Sequence, residues 1–327
     1  MSLSTSSRSD RSPADNCTCP PRQMALWTVL LVLVTLVWGN TFIAIKAVVA
    51  YVSPLQLVTV RFVPAALIFG AFLVVTRGPQ VWHLVRTEGW RLALLGLTGA
   101  VLFNAFVGWG QTRIPANVSS LIIALNPGFT YTFSVLFLGE RFSWRQAAGL
   151  AVAFGGLAVV VLWGSGGATA MGDVAYALIM MLASVCWAAY TVLGKALVTR
   201  HPPLLVTGTM ITFAGLFSLV FVGSDLFARL QAAPASFWLA SLFLALFSSV
   251  LAFVIWFGAL KRMPATRVAG FTYLVPLFSV VFSWLLLGEP ITPALVVGAA
   301  ILIGGVWLVN RHRAEPQACD IDRMICG

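Results

Sequence analysis

Two basic residues lie in or at the end of apolar segments, where a charge is costly, and they are the first candidates for binding chemistry. Arg61 stands about eight residues into the apolar run 54–76, which is ~12 Å along a helix at 1.5 Å per residue. Lys46 closes the preceding run, 25–48. A buried cation costs at least ~2.5 kcal/mol, which argues for a purpose. We expect these cations either to attract a carboxylate or phosphate together, or, for Arg61, to reach the membrane surface through its long side chain.

Aromatic and polar side chains form matching stripes in the first and sixth apolar runs. Positions i, i+3, i+7 and i+11 lie on one face of a helix. The stripes consist of Thr35, Trp38, Phe42 and Lys46 in the first run, and of Ser184, Trp187, Thr191 and Lys195 in the sixth. Both tryptophans fall near the middle of their runs, which favours a cavity lining over an interface belt. The hydroxyl groups could equally bond to the carbonyls of their own helix.

Amides and further aromatic residues complete the predicted substrate cavity. Amides in hydrocarbon need partners, so they should face the interior of a helix bundle, where they either bind a substrate or hold helices together. An amphipathic, aromatic cavity suits a small organic solute with an apolar part. The predicted cavity residues are Trp38, Asn40, Phe42, Lys46, Arg61, Asn104, Gln111, Asn126, Trp187, Tyr190, Thr191, Trp256 and Tyr273.

Acidic residues and histidines are absent from the middle of every apolar run. Proton- and sodium-coupled carriers usually place such a group within the membrane, so the pattern favours facilitated transport, or coupling through an unusual group. The chain also has no HExxH, GxGxxG or Walker motif, which argues against an enzyme or a self-contained ATP-driven pump. Cys17 and Cys19 lack a second pair at metal-ligand spacing, so we predict neither a metal site nor a cofactor.

The composition indicates that lipid is the solvent for most of this chain. Of its 327 residues, 60% are hydrophobic and 9% are charged, and the mean hydropathy is +0.95. A soluble domain would be ~25% charged. The net charge of +10 comes from basic residues in the tails and in short loops between apolar runs, which argues against nucleic acid as a partner. The expected partners are the bilayer and a small-molecule substrate.

Ten apolar runs are long enough to cross ~30 Å of hydrocarbon, which needs ~20 helical residues. They fall at about 25–48, 54–76, 90–110, 115–138, 145–164, 173–197, 204–224, 235–260, 264–287 and 293–311. Their continuous apolar character predicts helices and excludes the alternation of a β-barrel. With the N-terminus in the cytoplasm, the far side holds four of the 20 Lys and Arg residues, namely Lys46, Arg61, Arg113 and Arg229. This bias predicts that both termini are cytoplasmic.

The second half of the chain repeats the first at an offset of 149 residues. The coincidences include Trp38 with Trp187, Lys46 with Lys195, Arg113-x-Pro115-Ala116 with Arg262-x-Pro264-Ala265, and Leu138-Gly139-Glu140 with Leu287-Gly288-Glu289. Five spans per repeat is an odd number, so the second copy must enter the membrane from the opposite side. Inverted repeats are the architecture of alternating-access carriers, although a duplication retained only for folding is the alternative. A channel is less favoured because the chain lacks a charged ring or a filter-like loop.

The repeat also sets the expected domain boundaries and several mechanical features. Pro127 and Pro276, in spans four and nine, are either hinges or static kinks. Spans five and ten carry small residues four apart, which either pack within the monomer or form a weak homodimer. These patterns are Ala151-xxx-Gly155 and Ala300-xxx-Gly304. Each Leu-Gly-Glu should end a helix, with a Glu that caps or pairs nearby. The predicted units are a disordered tail 1–23, two five-helix repeats at 24–165 and 172–311, and a tail 312–327.

Together these features resemble the drug/metabolite transporter superfamily, whose repeat unit is the five-span EamA domain. The resemblance rests on Trp-Gly-Asn-Thr-Phe at 38–42, on the Lys that ends span one, on the two Leu-Gly-Glu motifs and on the ten spans, and it covers 24–311. Within the superfamily the chain looks most similar to bacterial metabolite exporters, including the YddG-type amino-acid exporters.

The resemblance implies a central cavity lined by spans one to four and six to nine, with spans five and ten at the periphery. It also implies a place in the bacterial inner membrane and the export of small metabolites. Aromatic or other neutral amino acids fit the Trp, Tyr and Asn residues best. The alternatives are a transporter or exchanger of anionic metabolites, suggested by Arg61 and Lys46, a drug transporter, or a channel.

Overall fold

A computed structural model describes residues 21–137, 143–164, 171–262, 268 and 271–310. Within them the regular structure is helical throughout, with no strand, which confirms the predicted all-α class. The helices are α1 (Pro21–Val49), α2 (Pro54–Gly96), α3 (Phe103–Gln111), α4 (Ala116–Ile123), α5 (Asn126–Phe137), α6 (Trp144–Trp163), α7 (Met171–Arg200), α8 (Pro203–Ser218), α9 (Leu226–Gln231), α10 (Ala235–Leu242), α11 (Ala252–Arg262), α12 (Leu274–Leu287) and α13 (Pro293–Asn310). Two π-helical segments, Leu97–Leu102 and Phe243–Leu251, and two 3₁₀ turns, Leu219–Phe221 and Phe271–Tyr273, link some of them.

The tails and one repeat motif lie largely outside the described residues. The predicted tail 1–23 is described only from Pro21, where α1 begins, and nothing of the predicted tail 312–327 is described. The motif Leu138-Gly139-Glu140 is also outside the described part.

Several helices are long and apolar enough to cross a membrane by length and composition. In the described part there are five such segments, Ala25–Val49, Pro54–Gln111, Val174–Arg200, Pro203–Phe221 and Ala235–Ala259. Shorter apolar helices run over Ala147–Trp163, Phe271–Leu287 and Pro293–Leu308. These eight segments fall on nine of the ten predicted spans, with Pro54–Gln111 covering two of them, and none of them matches span four, 115–138.

The connection between spans two and three differs from its prediction. We expected a break over 77–89, but the chain stays helical through this stretch apart from Arg77, whose backbone angles (φ −140°, ψ 23°) are not helical. Two helices therefore meet at a kink at Arg77, just before Gly78 and Pro79. Helix α2 begins with a capping box, because Ser53 accepts from the Gln56 backbone while the Gln56 side chain accepts from the Ser53 N–H.

The two prolines of spans four and nine stand in first turns of helices, and not in helix middles. Span four is split into α4 and α5, and Pro127 is the second residue of α5. Pro276 is the third residue of α12, which follows the 3₁₀ turn Phe271–Tyr273. The missing proline N–H costs little there, because the first N–H groups of a helix have no intrahelical partner. The helical break thus precedes each proline, at matching places in the two repeats.

The packing of the helices reproduces the inverted repeat. Helix α1 packs on α12 and on the segment α10–α11, and its repeat counterpart α7 packs in the same way on α4–α5 and on α3. The largest contacts join counterparts directly, α2 with α8 and α6 with α13. Two copies related by a pseudo-two-fold axis produce this pattern, so the architecture is two inverted five-helix repeats.

Glycines allow α6 and α13 to approach at backbone distance. A Cβ on Gly156 would overlap the backbone of Leu302 and lie 2.7 Å from the Gly298 carbonyl oxygen, and Gly305 meets the backbone of Ala153 and Gly149 in the same way. Close helix approach of this kind drives association in lipid, where apolar burial gives no preference for a neighbouring helix. The glycines of the predicted motifs, Gly155 and Gly304, each precede one of these contact residues in the sequence. They face outward, and a Cβ added to either of them would have no atom within 4 Å.

Candidate substrate site

Six aromatic side chains meet between the two repeats. We call them the aromatic cluster: Trp38, Phe103, Trp187, Tyr190, Phe253 and Trp256. The Trp38 ring lies edge-on to Trp187, with centroids 5.8 Å apart and planes at 89°, and 5.0 Å from Trp256. Trp187 in turn lies 5.2 Å from Tyr190 and 5.1 Å from Phe103. The two tryptophans predicted from the helical stripes are thus in direct contact, because α1 and α7 bring matching faces to the pseudo-two-fold axis.

Arg61 is buried inside the bundle, and its side chain binds neutral oxygen atoms. Its Nε donates to Ser249 Oγ at 2.8 Å, one terminal nitrogen to Asn104 Oδ1 at 2.6 Å, and the other to Ser248 Oγ at 2.9 Å. We call Arg61, Asn104, Ser248 and Ser249 the Arg61 cluster. Since Arg61 is 4% exposed, it does not extend to the surface, and that alternative is wrong.

The aromatic cluster and the Arg61 cluster share Ser248. The Trp38 indole N–H donates to the Ser248 carbonyl at 3.3 Å, and the Thr41 hydroxyl lies 2.7 Å from the Ser248 hydroxyl. An apolar aromatic wall and a buried cation are therefore joined through one residue. Such a site can hold a molecule with an anionic end and an apolar body, because the guanidinium binds anions and the ring faces bury hydrocarbon.

A π-helical segment presents the two serines. Ser248 and Ser249 lie in Phe243–Leu251, and Ser249 also donates to the Leu244 carbonyl, five residues earlier. The other π-helical segment, Leu97–Leu102, falls at the matching place of the first repeat, just before Asn104. π-helical turns widen a helix and are frequent at functional sites. Both repeats therefore carry this irregularity beside the aromatic cluster.

Lys46 belongs to a different group of contacts. Its ammonium donates to the Ile114 carbonyl at 2.9 Å. Next to it, Glu289 accepts from the backbone N–H groups that begin α4, from Ala116 at 2.8 Å and Asn117 at 3.0 Å. Lys46 and Arg61 share no hydrogen-bond partner, so the structure does not join them in one anion site.

Gly288 directs Glu289 to this position. It ends α12 with φ of +65°, the left-handed conformation that glycine adopts at a helix end, and the Glu289 N–H then donates to the Ser283 carbonyl at 3.2 Å. The second Leu-Gly-Glu motif therefore ends a helix and supplies a cap, as the sequence suggested.

The remaining predicted cavity residues lie apart from these clusters or serve other helices. Gln111 is buried and donates to the Phe42 carbonyl at 2.9 Å, which ties α3 to α1. Thr191 bonds within its own helix, to the Trp187 carbonyl. Tyr273 donates to the Val306 carbonyl of α13 at 3.3 Å.

Two amides have different surroundings. Asn126 Oδ1 is buried without a partner in the described part of the chain. Asn40 lines a shallow pocket of about 190 Å³ between α1 and the segment that begins at α10, with Ile43, Ala44 and Phe243.

Several site residues were missed by reasoning from the sequence alone. Phe103 and Phe253 belong to the aromatic cluster, Ser248 and Ser249 belong to the Arg61 cluster, and Thr41 contacts Ser248, but none of them stood on the stripes that we selected. A comparison of the repeats carries a usable signal, because Ser248-Ser249 stands where the first repeat has Gly99-Ala100. Among the described residues no three His, Cys, Asp or Glu side chains come together as metal ligands.

Two inverted five-helix repeats that enclose aromatic and cationic groups define a multi-pass membrane transporter. The EamA-like transporter family matches residues 25–162 and 174–311, and the chain belongs to this family. It is accordingly a transport protein and not an enzyme.

Individual relatives agree with this membership. A "Probable terminal-alkyne amino-acid exporter" of Streptantibioticus cattleyicolor is 32% identical over 88% of this chain and 94% of its own length. A "Probable amino-acid metabolite efflux pump" of Salmonella typhimurium is 28% identical over 85% of this chain and 93% of its own. A solved crystal structure at 22% identity shares the fold, with a TM-score of 0.60 over 89% of this chain and 99% of that one.

Proposed function

We propose that this chain is a bacterial inner-membrane transporter that exports small metabolites by alternating access, with aromatic and other neutral amino acids as the first substrate class. Both termini lie in the cytoplasm in this proposal. The observation that carries it is the contact of Trp38 with Trp187 at 5.8 Å, which puts an aromatic surface where the two repeats meet. In inverted-repeat carriers the substrate binds at that interface, near the middle of the membrane.

Further support comes from the names of two relatives and from the pattern of charges. The relatives from Streptantibioticus cattleyicolor and Salmonella typhimurium are named for amino-acid export or amino-acid metabolite efflux. The sequence excess of Lys and Arg on one side supports cytoplasmic termini. Anionic metabolites are the second candidate substrates, and Arg61 is the observation that favours them.

Transport by purified protein in liposomes tests the proposal. Labelled aromatic and neutral amino acids should enter protein-containing vesicles saturably, show counter-flow, and be indifferent to a pH gradient. Counter-flow with saturation is the behaviour of a carrier, whereas single-channel currents would instead identify a channel. If no amino acid enters above empty vesicles, the amino-acid assignment is wrong and anionic metabolites or drugs take its place.

Trp38→Ala is the variant that connects this activity to the aromatic cluster. It removes the ring that contacts Trp187, Phe253 and Trp256, so transport should fall by about tenfold or more. Trp284→Ala is the matched control, since Trp284 is 54% exposed on the outside of α12 and should leave transport unchanged. Equal loss in both variants would contradict a role for the cluster.

A further inference from the structure

We propose that the Arg61 cluster binds the carboxylate group of the transported molecule, so that the substrate is a monocarboxylate with an apolar or aromatic body. This inference rests on the proposed transport function and adds to it the chemical group that the protein recognises. It assigns four residues, from α2, α3 and the π-helical segment Phe243–Leu251, to one binding site.

Comparison with the other repeat shows that the fold does not need this cluster. At the offset of 149 residues, Arg61 corresponds to Met210 and Asn104 to Phe253, and Ser248 and Ser249 correspond to Gly99 and Ala100. All four counterparts are apolar and buried. This second set, with Met210 in α8, Phe253 in α11 and Gly99 and Ala100 in the segment Leu97–Leu102, carries no charge.

The difference extends to the space around the serines. Thr41 touches Ser248, whereas its counterpart Tyr190 lies so close to Gly99 that a Cβ there would overlap the tyrosine ring. The space beside Gly99 is therefore filled by the Tyr190 ring. The space beside Ser248 instead holds the small hydroxyl groups of Thr41 and Ser248, next to the Arg61 guanidinium. A polar site therefore exists on one side of the pseudo-two-fold axis only, as expected for a ligand that is itself asymmetric.

The charge of Arg61 has no counter-ion among the described side chains. The acidic groups with described contacts are engaged elsewhere: Glu88 with Arg91, Asp225 with Arg229, and Glu289 with the start of α4. A buried charge that is not paired is costly, and a carboxylate from the substrate would supply the missing charge.

The guanidinium also has hydrogen-bonding capacity left. It carries five N–H donors, and its three hydrogen bonds use three of them, so an N–H on each terminal nitrogen has no partner. Two N–H groups of one guanidinium match the two oxygens of a carboxylate. Ser248 and Asn104 hold the plane of the guanidinium, which reduces the conformational entropy lost on binding.

The position of the aromatic cluster determines the rest of the ligand. Because Trp38 bonds the Ser248 carbonyl, a molecule anchored at Arg61 has its body beside the Trp38 ring. The body is then in contact with aromatic surface, which excludes strongly polar or doubly charged molecules. The substrate class is therefore a carboxylate with a hydrocarbon or aromatic side group, with or without an amino group.

Thermal stabilisation by a matched ligand panel tests the inference without relying on transport. The panel is phenylalanine, its amide, its methyl ester, phenethylamine and 3-phenylpropionate, added to the detergent-purified full chain. A ligand that binds the folded state raises the melting temperature with its concentration. The two carboxylates should stabilise the protein, while the amide, the ester and the amine should bind at least about tenfold more weakly, because they lack the charge that pairs with Arg61.

Variants then locate the effect. Arg61→Met copies the residue of the other repeat and should abolish the preference for carboxylates, and Arg61→Lys should keep part of it. Arg113→Met is the control, since Arg113 is exposed and its replacement removes the same charge. If Arg61→Met does not fold, Ser249→Ala removes one hydrogen bond from the guanidinium and should weaken carboxylate binding alone. Equal binding of carboxylate and amide by the unmodified protein would overturn the proposal, as would an unchanged preference in Arg61→Met.

The outcomes separate this inference from the proposed function. Stabilisation by 3-phenylpropionate without transport of any amino acid would support the carboxylate site and contradict amino-acid export. Transport of phenylalanine and its amide at equal rates would support the transport function and contradict the carboxylate site. Absence of stabilisation by every carboxylate in the panel would also overturn the inference.

Discussion

The carboxylate of Glu289 accepts from the backbone N–H of Asn117 at 3.0 Å, which joins the end of span nine to the beginning of span four. Its other oxygen accepts from Ala116 at 2.8 Å. A negative charge at a helix N-terminus satisfies unpaired donors and interacts favourably with the helix dipole. One side chain of the second repeat thus completes a helix of the first.

Replacement of Glu289 should therefore weaken the contact between the repeats. Glu289→Ala leaves two donors of α4 without an acceptor, and we expect a loss of about 1–3 kcal/mol of stability. Glu289→Gln retains one acceptor oxygen and should fall between the alanine variant and the unmodified protein. Melting temperature in detergent measures both. A Glu289→Ala protein as stable as the unmodified one would show that water replaces the cap.

The two lysines that end spans one and six should respond differently, although the repeat makes them equivalent. Lys46 donates to the Ile114 carbonyl at 2.9 Å, whereas Lys195 is exposed. Lys46→Ala should cost about 1–2 kcal/mol because it removes a charge-assisted hydrogen bond. Lys195→Ala should stay within ~0.5 kcal/mol, as is usual for surface changes. Melting temperatures that fall equally for both would contradict this asymmetry.

Neighbouring glycines of α6 form a matched pair for testing the contact with α13. Gly156→Ala places a methyl group 2.7 Å from the Gly298 carbonyl oxygen, and such overpacking against backbone should cost about 1–3 kcal/mol. Gly155→Ala meets no atom within 4 Å and should be neutral or slightly stabilising, since alanine favours helix. Melting temperature again decides between them. A destabilised Gly155→Ala protein would point to a surface that packs against another molecule.

Asp225 gives a pH dependence whose direction follows from its contacts. The Arg229 side chain donates to it at 2.7 Å and the Gln56 side chain at 2.9 Å, and the hydrogen bond from Arg229 is the main cause that lowers the pKa of Asp225. Because the folded pKa is lower than the unfolded one, the carboxylate stabilises the folded state above the unfolded value of ~3.9 and stops doing so as the pH falls through the folded pKa.

The comparison of Asp225→Asn with the unmodified protein measures this contribution. The variant should melt slightly lower at every pH between about 5 and 8. The difference should shrink below about pH 4 and disappear only below the lowered pKa of folded Asp225, where the carboxyl group is uncharged in both states. Both partners are exposed, so we expect a small effect. A difference that persists unchanged in acid would contradict the assignment to the charge.

The sequence was sufficient for the architecture and for bringing Trp38 and Trp187 to one interior face. Hydropathy and the offset of 149 residues predicted helical spans in two inverted copies, and the helical stripes predicted that Trp38 and Trp187 face the interior. The same reasoning left two interpretations of Arg61 open, an anion-attracting pair with Lys46 or a side chain that reaches the membrane surface. The structure instead gives the two cations separate partners, Ser248 with its neighbours for one and Ile114 for the other.

The helical breaks show a further limit of sequence reasoning. Pro127 and Pro276 were correctly singled out as interruptions, but a proline in an apolar run is equally compatible with a kink and with the first turn of a new helix. Only the backbone conformation of the residues before each proline distinguishes a kink from a new helix. In both spans the α-helix is interrupted just before the proline.

By itself the sequence determined that lipid surrounds most of the chain, where the spans lie and that they repeat. Apolar runs of ~20 residues must be helices in lipid, and a repeat of five spans must invert. Only the tertiary structure decided which polar groups meet. An apolar span carries little periodicity, because lipid and the bundle interior are both apolar, so the face that turns inward is not encoded in its pattern. Arg61 finds its serines 187 and 188 residues away, and only the packing of the helices brings them within hydrogen-bonding distance.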